Sequence, residues 1–580
     1  MYDVDMGGCS AEGSDGGAIY SETNIVIEDS YFISNSAFGG ESGGAIYLEG
    51  SATIRDTTFE ENSIVTEETG YGGAIYHSDG ELDISGSEFI GNYIDDEGGY
   101  SEGGAISSHG MIYITDSRFE ENYVVGEGGY GAAISTSGDS RLVSTIFTEN
   151  RSTYGGALDL YGDTAEIRDS VFEYNEANDY GGAISAEGDD LIITGSSFAY
   201  NEASEYGGAI SADTDGIIIN STFYNNYAYT DGGAISNSGS LQLRNVTLSG
   251  NSEESNGFYS EGGLAIRNSI FDDSCTIDNG DFSPESLAFN KGGYKIDSLS
   301  PTSFDEDSTN NIESGVTCGF DDEDSMQNID PILGEYSDNG GFTKTISLAT
   351  DSPAIGAGRS CYYDSGEVLD IDQRGEKRAF SPESCDIGAY EMKSVYIGTS
   401  NGLTVELEDG TSLNIPSRNL VNGTIRAFVK DANGNVVAEV TLNLDNWKDW
   451  SSVTSGYADG KSFVHNLAGA PGVGSSFTLY VPFITGSESV TICPGADSLD
   501  DLNADCDGAY TVDEADDGVS IVEISGKTYW RVENVTGSGG FSNTALASSG
   551  YNISIILLVG VTTLLSMVLV INSRSWFPRR

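Results

Sequence analysis

Lysine is missing from the first half of this 580-residue chain. None precedes Lys291, and only seven arginines do: Arg55, Arg118, Arg141, Arg151, Arg168, Arg244 and Arg267. The whole chain sets 25 basic residues against 92 acidic ones, a formal charge of -67. Such a surface repels phosphate backbones and anionic headgroups, which argues against nucleic acid as a partner. A dense carboxylate shell instead holds water, opposes self-association and attracts divalent cations. Histidine is nearly absent: His77, His109 and His465 lie far apart, and no Ser/His/Asp arrangement is discernible. The seven cysteines include no Cys-x-x-Cys, so a Cys/His zinc centre has no basis here. Cys361 with Cys385 and Cys493 with Cys506 would close short loops if oxidised, as happens outside the cytoplasm, although spacing alone fixes no pairing. The opening MYDVDMGGCSAEGSDGGAIY lacks a basic n-region and an apolar h-region, so no signal peptide is visible. It starts inside a repeat pattern, and the expectation is that an upstream segment precedes the recorded start.

What the chain has in excess is glycine, 76 residues without a Gly-x-y period, which excludes collagen. The glycines recur in a motif, GGAI or a close variant, beginning at Gly16, Gly43, Gly72, Gly103, Gly131, Gly155, Gly181, Gly207, Gly232 and Gly262. Each copy is followed by Phe-x-x-Asn, at Phe32/Asn35, Phe59/Asn62, Phe89/Asn92, Phe119/Asn122, Phe147/Asn150, Phe172/Asn175, Phe198/Asn201 and Phe223/Asn226, then by Leu248/Asn251 and a lone Phe271. Five residues before each Phe or Leu stands an aliphatic residue, and two before it a Ser or Thr, with Val246 the exception. A period of 24 to 31 residues without 10–15-residue amphipathic stretches reads as short strands and turns, not helices.

The units therefore predict coils of a parallel β-helix, each with three short strands. Coils stacked about 4.8 Å apart would make ten of them roughly 50 Å long. Period two points the Ile of GGAIY inward and the next residue outward. The glycines would supply a positive-φ corner and a close approach between coils. The phenylalanines would stack inside, and the asparagines would bond turn backbones that are otherwise buried unpaired. A phosphate cradle needs a lysine and a helix after the glycines, and neither follows.

The interlocked GGAI and Phe-x-x-Asn motifs resemble the repeats of chlamydial polymorphic outer-membrane proteins and related right-handed β-helix surface proteins of bacteria. The passage from Asn328 to Glu391, with SPAIGAG, DIDQRG and DIGAYE, is similar to the last coils of choice-of-anchor secreted β-helix proteins. The resemblance implies a cell-surface passenger, either an adhesin or an envelope component. Its chlamydial members end in an outer-membrane barrel. This chain ends otherwise: residues 553–571 form an uncharged apolar run of 19 residues, followed by Arg574, Trp576, Arg579 and Arg580. That length spans a bilayer as a helix, and the arginines place the tail in the cytoplasm.

The expected fold is all-β: a right-handed parallel β-helix over 1–391, regular to about 271 and irregular after it. An antiparallel, sandwich-like β domain follows at 392–490, with DANGN (431–435) as a tight turn. Then come a small acidic β region (491–535), a polar linker (536–552), the transmembrane helix (553–571) and a basic tail (572–580). A polysaccharide lyase or glycoside hydrolase on the β-helix is the alternative function. It would need an acidic constellation, joined in a lyase by a basic group, that no single coil displays. The reading is a non-enzymatic surface protein with a carbohydrate or cell-surface ligand, joined to the membrane by its C-terminal helix. One metal loop is concrete. NADCDGAYTVDE places Asn503, Asp505, Asp507, Gly508 and Glu514 at positions one, three, five, six and twelve of a calcium loop.

Overall fold

The computed structural model describes residues 1–543 except 40–41, 97–98, 127, 252–255, 278–310, 319–324, 350, 360, 362–367, 379–384, 393–396, 400–401, 408–411, 414–423, 444–447, 469, 471 and 537–538. The apolar run at 553–571, most of the linker and the basic tail fall outside the described residues. Two compact units separate at Met392/Lys393.

In the first unit the coils opened by Gly16 to Gly207 each carry four strands, one more than expected. The coil opened by Gly72 has strands Ile75–His77, Glu81–Ser85, Glu88–Ile90 and Tyr93–Asp96. Strands of this length are too short to stand alone. They stack coil on coil into four parallel sheets of 11, 10, 13 and 9 strands, the walls of a right-handed solenoid. Register is set by the repeat: Ile75 opposes Ile46 and Ile106, Ile84 opposes Ile54 and Ile114, and Phe89 opposes Phe59 and Phe119. All of these are buried in one continuous core.

The fourth strand is possible because the chain bends at three left-handed corners per coil. One file is Gly16, Gly43, Gly72, Gly103, Gly131, Gly155, Gly181, Gly207 and Gly232. A Cβ on Gly72 would sit 2.0 Å from the Ile75 carbonyl oxygen, so here glycine is required by sterics as well as by φ. The second glycine serves a different need. A Cβ on Gly73 would meet the Gly104 carbonyl oxygen of the next coil at 2.0 Å. The tenth copy does not belong to this file. Gly263–Arg267 is a strand of the ten-stranded sheet, and Phe258 takes the place of the inward Ile, opposing Ile235.

Two ladders fill the corners beside the phenylalanines. Each Asn from Asn35 to Asn226 donates its amide Nδ2 to the Oδ1 of the next coil's Asn at 2.8–3.0 Å. From Asn62 to Asn251 the other Nδ2 hydrogen goes to a Phe carbonyl of the coil before, at 2.8–3.1 Å. Each Oδ1 also accepts the previous coil's Asn backbone N–H. Every polar atom of the amide is thereby used. Asp273 ends the ladder by accepting both bonds of Asn251, at 2.9 and 2.7 Å. The Ser/Thr hydroxyls repeat the device, each bonding the carbonyl two residues earlier, as Ser87 Oγ does with Ser85. Eight phenylalanines stack at 4.6–5.1 Å between centroids, nearly parallel.

Past residue 271 the expectation of further irregular coils holds only briefly. Ile312–Glu313 and Met326–Gln327 extend the phenylalanine sheet. From residue 329 the chain instead turns back as a strap along the outside of earlier coils. The Tyr336 hydroxyl donates to Glu173, Thr343 Oγ1 to the Gly195 carbonyl, and Gln373 Nε2 to the Ser196 carbonyl. The DIDQRG and DIGAYE motifs clamp the strap on itself. Arg374 pairs with Asp372 at 2.6 Å and lies over the Tyr390 ring, while Arg378 pairs with Glu391 at 3.1 Å.

The strap explains a change at another corner file. Before the Ser/Thr position stand Asp29, Asp56, Gly86, Asp116, Ser144, Asp169 and Gly195, then Asn220, Asn245 and Asn268, all with positive φ. The three asparagines are buried beneath the strap, as is Gly195, whose carbonyl accepts from Thr343. The asparagine amides donate to the carbonyls of Ile371, Asp386 and Arg359. A carboxylate there could not donate and would be desolvated. Cys275–Cys318 and Cys361–Cys385 are disulfides in this unit, and Cys9 is free.

The second unit has two antiparallel sheets around a core that includes Trp450, Leu479 and Trp530. Thr424–Lys430 and Val436–Asn443 form a hairpin across Asp431–Asn435, with Gly434 at positive φ and the backbone N–H groups of Asn433 and Asn435 donating to Asp431. Both sheets take strands from either side of residue 490, among them Lys527–Val535 and Gly539–Asn543.

Two outcomes follow from these contacts. Asn245→Asp should cost about 1–3 kcal/mol in chemical denaturation, whereas Asp116→Asn, at an uncovered corner, should stay within about 0.5 kcal/mol. Burial pushes the Asp273 carboxyl up to about 7, although the Asn251 amides oppose the shift. Its folded pKa lies above the unfolded value of about 3.9, so this group favours folding at low pH and that contribution is lost as pH rises toward 7. Melts at pH 5 and pH 8 should show a larger pH effect in wild type than in Asp273→Asn, by about 1–2 kcal/mol.

Candidate ligand-binding faces and metal loop

The outward residues of the GGAI sheet run in one file: Tyr20, Tyr47, Tyr76, Ser107, Ser135, Asp159, Ser185, Ser211 and Ser236. The first three are stacked or tilted rings at 4.6 and 5.2 Å. The next four face outward and yet are buried, with exposures of 0%, 2%, 0% and 5% for Ser107, Ser135, Asp159 and Ser185. Two rows of side chains stand over them. One row precedes the glycines, with Tyr71, Glu102, Tyr130, Tyr154, Tyr180 and Tyr206 bridged coil to coil. His109, Tyr161 and Glu187 lie on the other side, and Tyr130 and Tyr161 meet edge to face at 6.4 Å.

At the centre is Asp159. Ser135 Oγ reaches its Oδ2 at 3.5 Å and the Ser185 hydroxyl also stands beside the carboxyl, while neither Oδ1 nor Ser107 Oγ has a hydrogen-bond partner within 3.5 Å. Burial holds the Asp159 carboxyl well above the ordinary carboxylate range, and Glu187 and Glu102 add to that effect. Burial also raises Glu102, against the pull of His109. The channel floor therefore offers hydroxyls and a carboxyl whose charged form burial disfavours, walled by tyrosines.

A second concavity lies where the strap ends. A cleft of about 340 Å³ is lined by Asp56, Glu88, Asp116, Arg118, Ser144 and the half-exposed Phe342. Its three carboxylates are exposed, and Arg118 is paired with Glu120 at 2.6 Å. The cleft gathers acids with a base, but nothing about it holds them out of water.

The calcium-loop residues are placed as follows. Asn503, Asp505, Asp507 and Glu514 are all exposed. The Asn503 amide donates to the carbonyls of Asp500 and Asp501 and its Oδ1 accepts the Asp505 N–H, so it folds a turn pinned by Cys493–Cys506. Glu514 follows strand Tyr510–Val512, which pairs with Ser489–Cys493. Among the described residues no group of three His, Cys, Asp or Glu is arranged to hold a metal ion. A variant with Asn503, Asp505 and Asp507 all changed to alanine should match wild type in the melting-temperature shift that millimolar calcium produces; loss of that shift would show a built site.

The sequence reading found the tyrosines only as outward neighbours of Ile. It missed Asp159, whose signal is the one carboxylate in a run of serines at the same motif position. It also missed the cleft, which exists only because the strap returns.

No curated protein and no solved structure matches the chain. The model of the Chlamydia polymorphic membrane protein repeat matches residues 56–78, 169–187 and 220–238. Each matched segment holds one Phe-x-x-Asn and the following GGAI, as in Phe59/Asn62 with Gly72–Ile75. Three segments of the first unit thus match the chlamydial polymorphic membrane protein repeat, and they lie in a right-handed parallel solenoid.

Proposed function

We propose that this protein is a membrane-anchored surface solenoid, an adhesin or structural component of a cell envelope, that acts by binding and not by catalysis. The observation that carries this reading is the division of each coil. Ile, Phe and Asn are spent on the interior, while tyrosines and carboxylates line the outside in axial files. Such files offer a repetitive surface suited to a repetitive ligand, for which carbohydrate is the natural class. The apolar run at 553–571 and the arginines after it support single-pass anchoring with the acidic bulk outside and the C-terminus in the cytoplasm.

The alternative is a carbohydrate-active enzyme, and the cleft beside Phe342 is the observation that favours it. Catalytic carboxylates are commonly set apart by environment, and those of the cleft are solvated. One experiment separates the readings. The full chain is incubated with a panel of neutral, aminated and acidic polysaccharides, and both retention on the polymer and release of reducing or unsaturated ends are followed. Retention without product is expected. Product release abolished by Asp116→Asn would establish the enzyme instead.

A further inference from the structure

We propose that the GGAI face binds an uncharged, hydroxyl-rich glycan strand lying along the solenoid axis, seated over Ser107, Ser135, Asp159 and Ser185 between the Tyr130 and Tyr161 walls. This rests on the surface-binding reading above and names its ligand class and seat. The first support is the pair of unpartnered, fully buried polar atoms, Asp159 Oδ1 and Ser107 Oγ, both on outward-pointing residues. Buried polar atoms normally find partners, and those left over on an outward face point to a ligand that supplies them. Sugar hydroxyls both donate and accept, so they satisfy a serine hydroxyl and a carboxyl alike.

Geometry adds the second support. The four floor residues come from four successive coils in strict register, so polar groups repeat about every 4.8 Å along the axis. The extended ligand therefore meets the same type of contact at each step. The Tyr130–Tyr161 contact closes over Asp159, and Tyr161 is 40% exposed, so rotation of that ring opens the seat to a sugar face.

Charge selects within the class. Glu102 and Glu187 flank the floor, and His109 beside them is already in contact with the Tyr76 hydroxyl at 3.3 Å. Acidic polymers are repelled by this arrangement. Burial disfavours the charged form of Asp159, so the floor suits hydroxyl partners better than it suits a further anion.

The test is a binding titration of the full chain against soluble neutral, aminated and uronic-acid polysaccharides, with Asp159→Asn, Asp159→Leu and Tyr161→Ala alongside wild type. Neutral polymers should bind best. Asp159→Asn, an uncharged polar group of the same shape, should stay within about threefold of wild type, whereas Asp159→Leu and Tyr161→Ala should each weaken binding about tenfold or more. Thermal melts guard against a folding defect in Asp159→Leu, and Tyr161→Ala, at the exposed rim, gives an independent reading. Binding unaffected by the leucine and tyrosine variants, or preference for acidic polymers, overturns this seat while leaving a surface-binding protein. No retention on any polymer overturns the carbohydrate reading with it.

Discussion

A coil of this solenoid turns three sharp corners, and each turn carries backbone N–H and C=O groups into the interior, where water cannot reach them. What the chain does with those groups decides which residues the repeat contains. Side-chain amides serve because an asparagine gives two hydrogens and accepts two, so one residue per coil closes the account for its own coil and both neighbours. Leucine or alanine at that place would strand several groups at once, each at a cost of about 1–3 kcal/mol. The hydroxyl file does the same at the next corner with a smaller group. Phenylalanine then fills the volume between them, its stacking distance dictated by the coil spacing more than by any preference of the rings.

Much of this was legible because it repeats. Inward Ile75, stacked Phe89 and bonded Asn92 were all readable from motif position alone, since the same physical demand recurs in every coil and leaves the same letter. The number of walls was not legible. The strand after the asparagine, such as Tyr93–Asp96, varies in sequence and has no fixed motif, so the coil looked three-sided. Gly262 misled for the opposite reason: it carries the motif but stands on another wall, because Phe258 had already filled the inward position.

The seats for function were harder still to read. Asp159 is conspicuous only once the serines above and below it are aligned in register. The cleft at Phe342 depends on a strap that returns over residues more than 140 positions earlier, as the Thr343–Gly195 contact shows. Even so, the strap had left a mark in the sequence. The corner file changes from Asp, Gly and Ser to three consecutive Asn where strap carbonyls face the corner, because an amide can donate to them and a carboxylate cannot.

The asparagine ladder also gives the rod a direction. Each rung hands bonds forward to the next rung's oxygen, so an aspartate is tolerated only where nothing further must be handed on, and Asp273 stands there. A duplicated coil inserted among the earlier rungs would find donors and acceptors ready on both sides. One inserted after Asp273 would find no amide there to hand two hydrogens on. Length in such a protein can therefore vary within the run of like coils, while the strap, its three asparagines and the closing aspartate travel together as one fixed end.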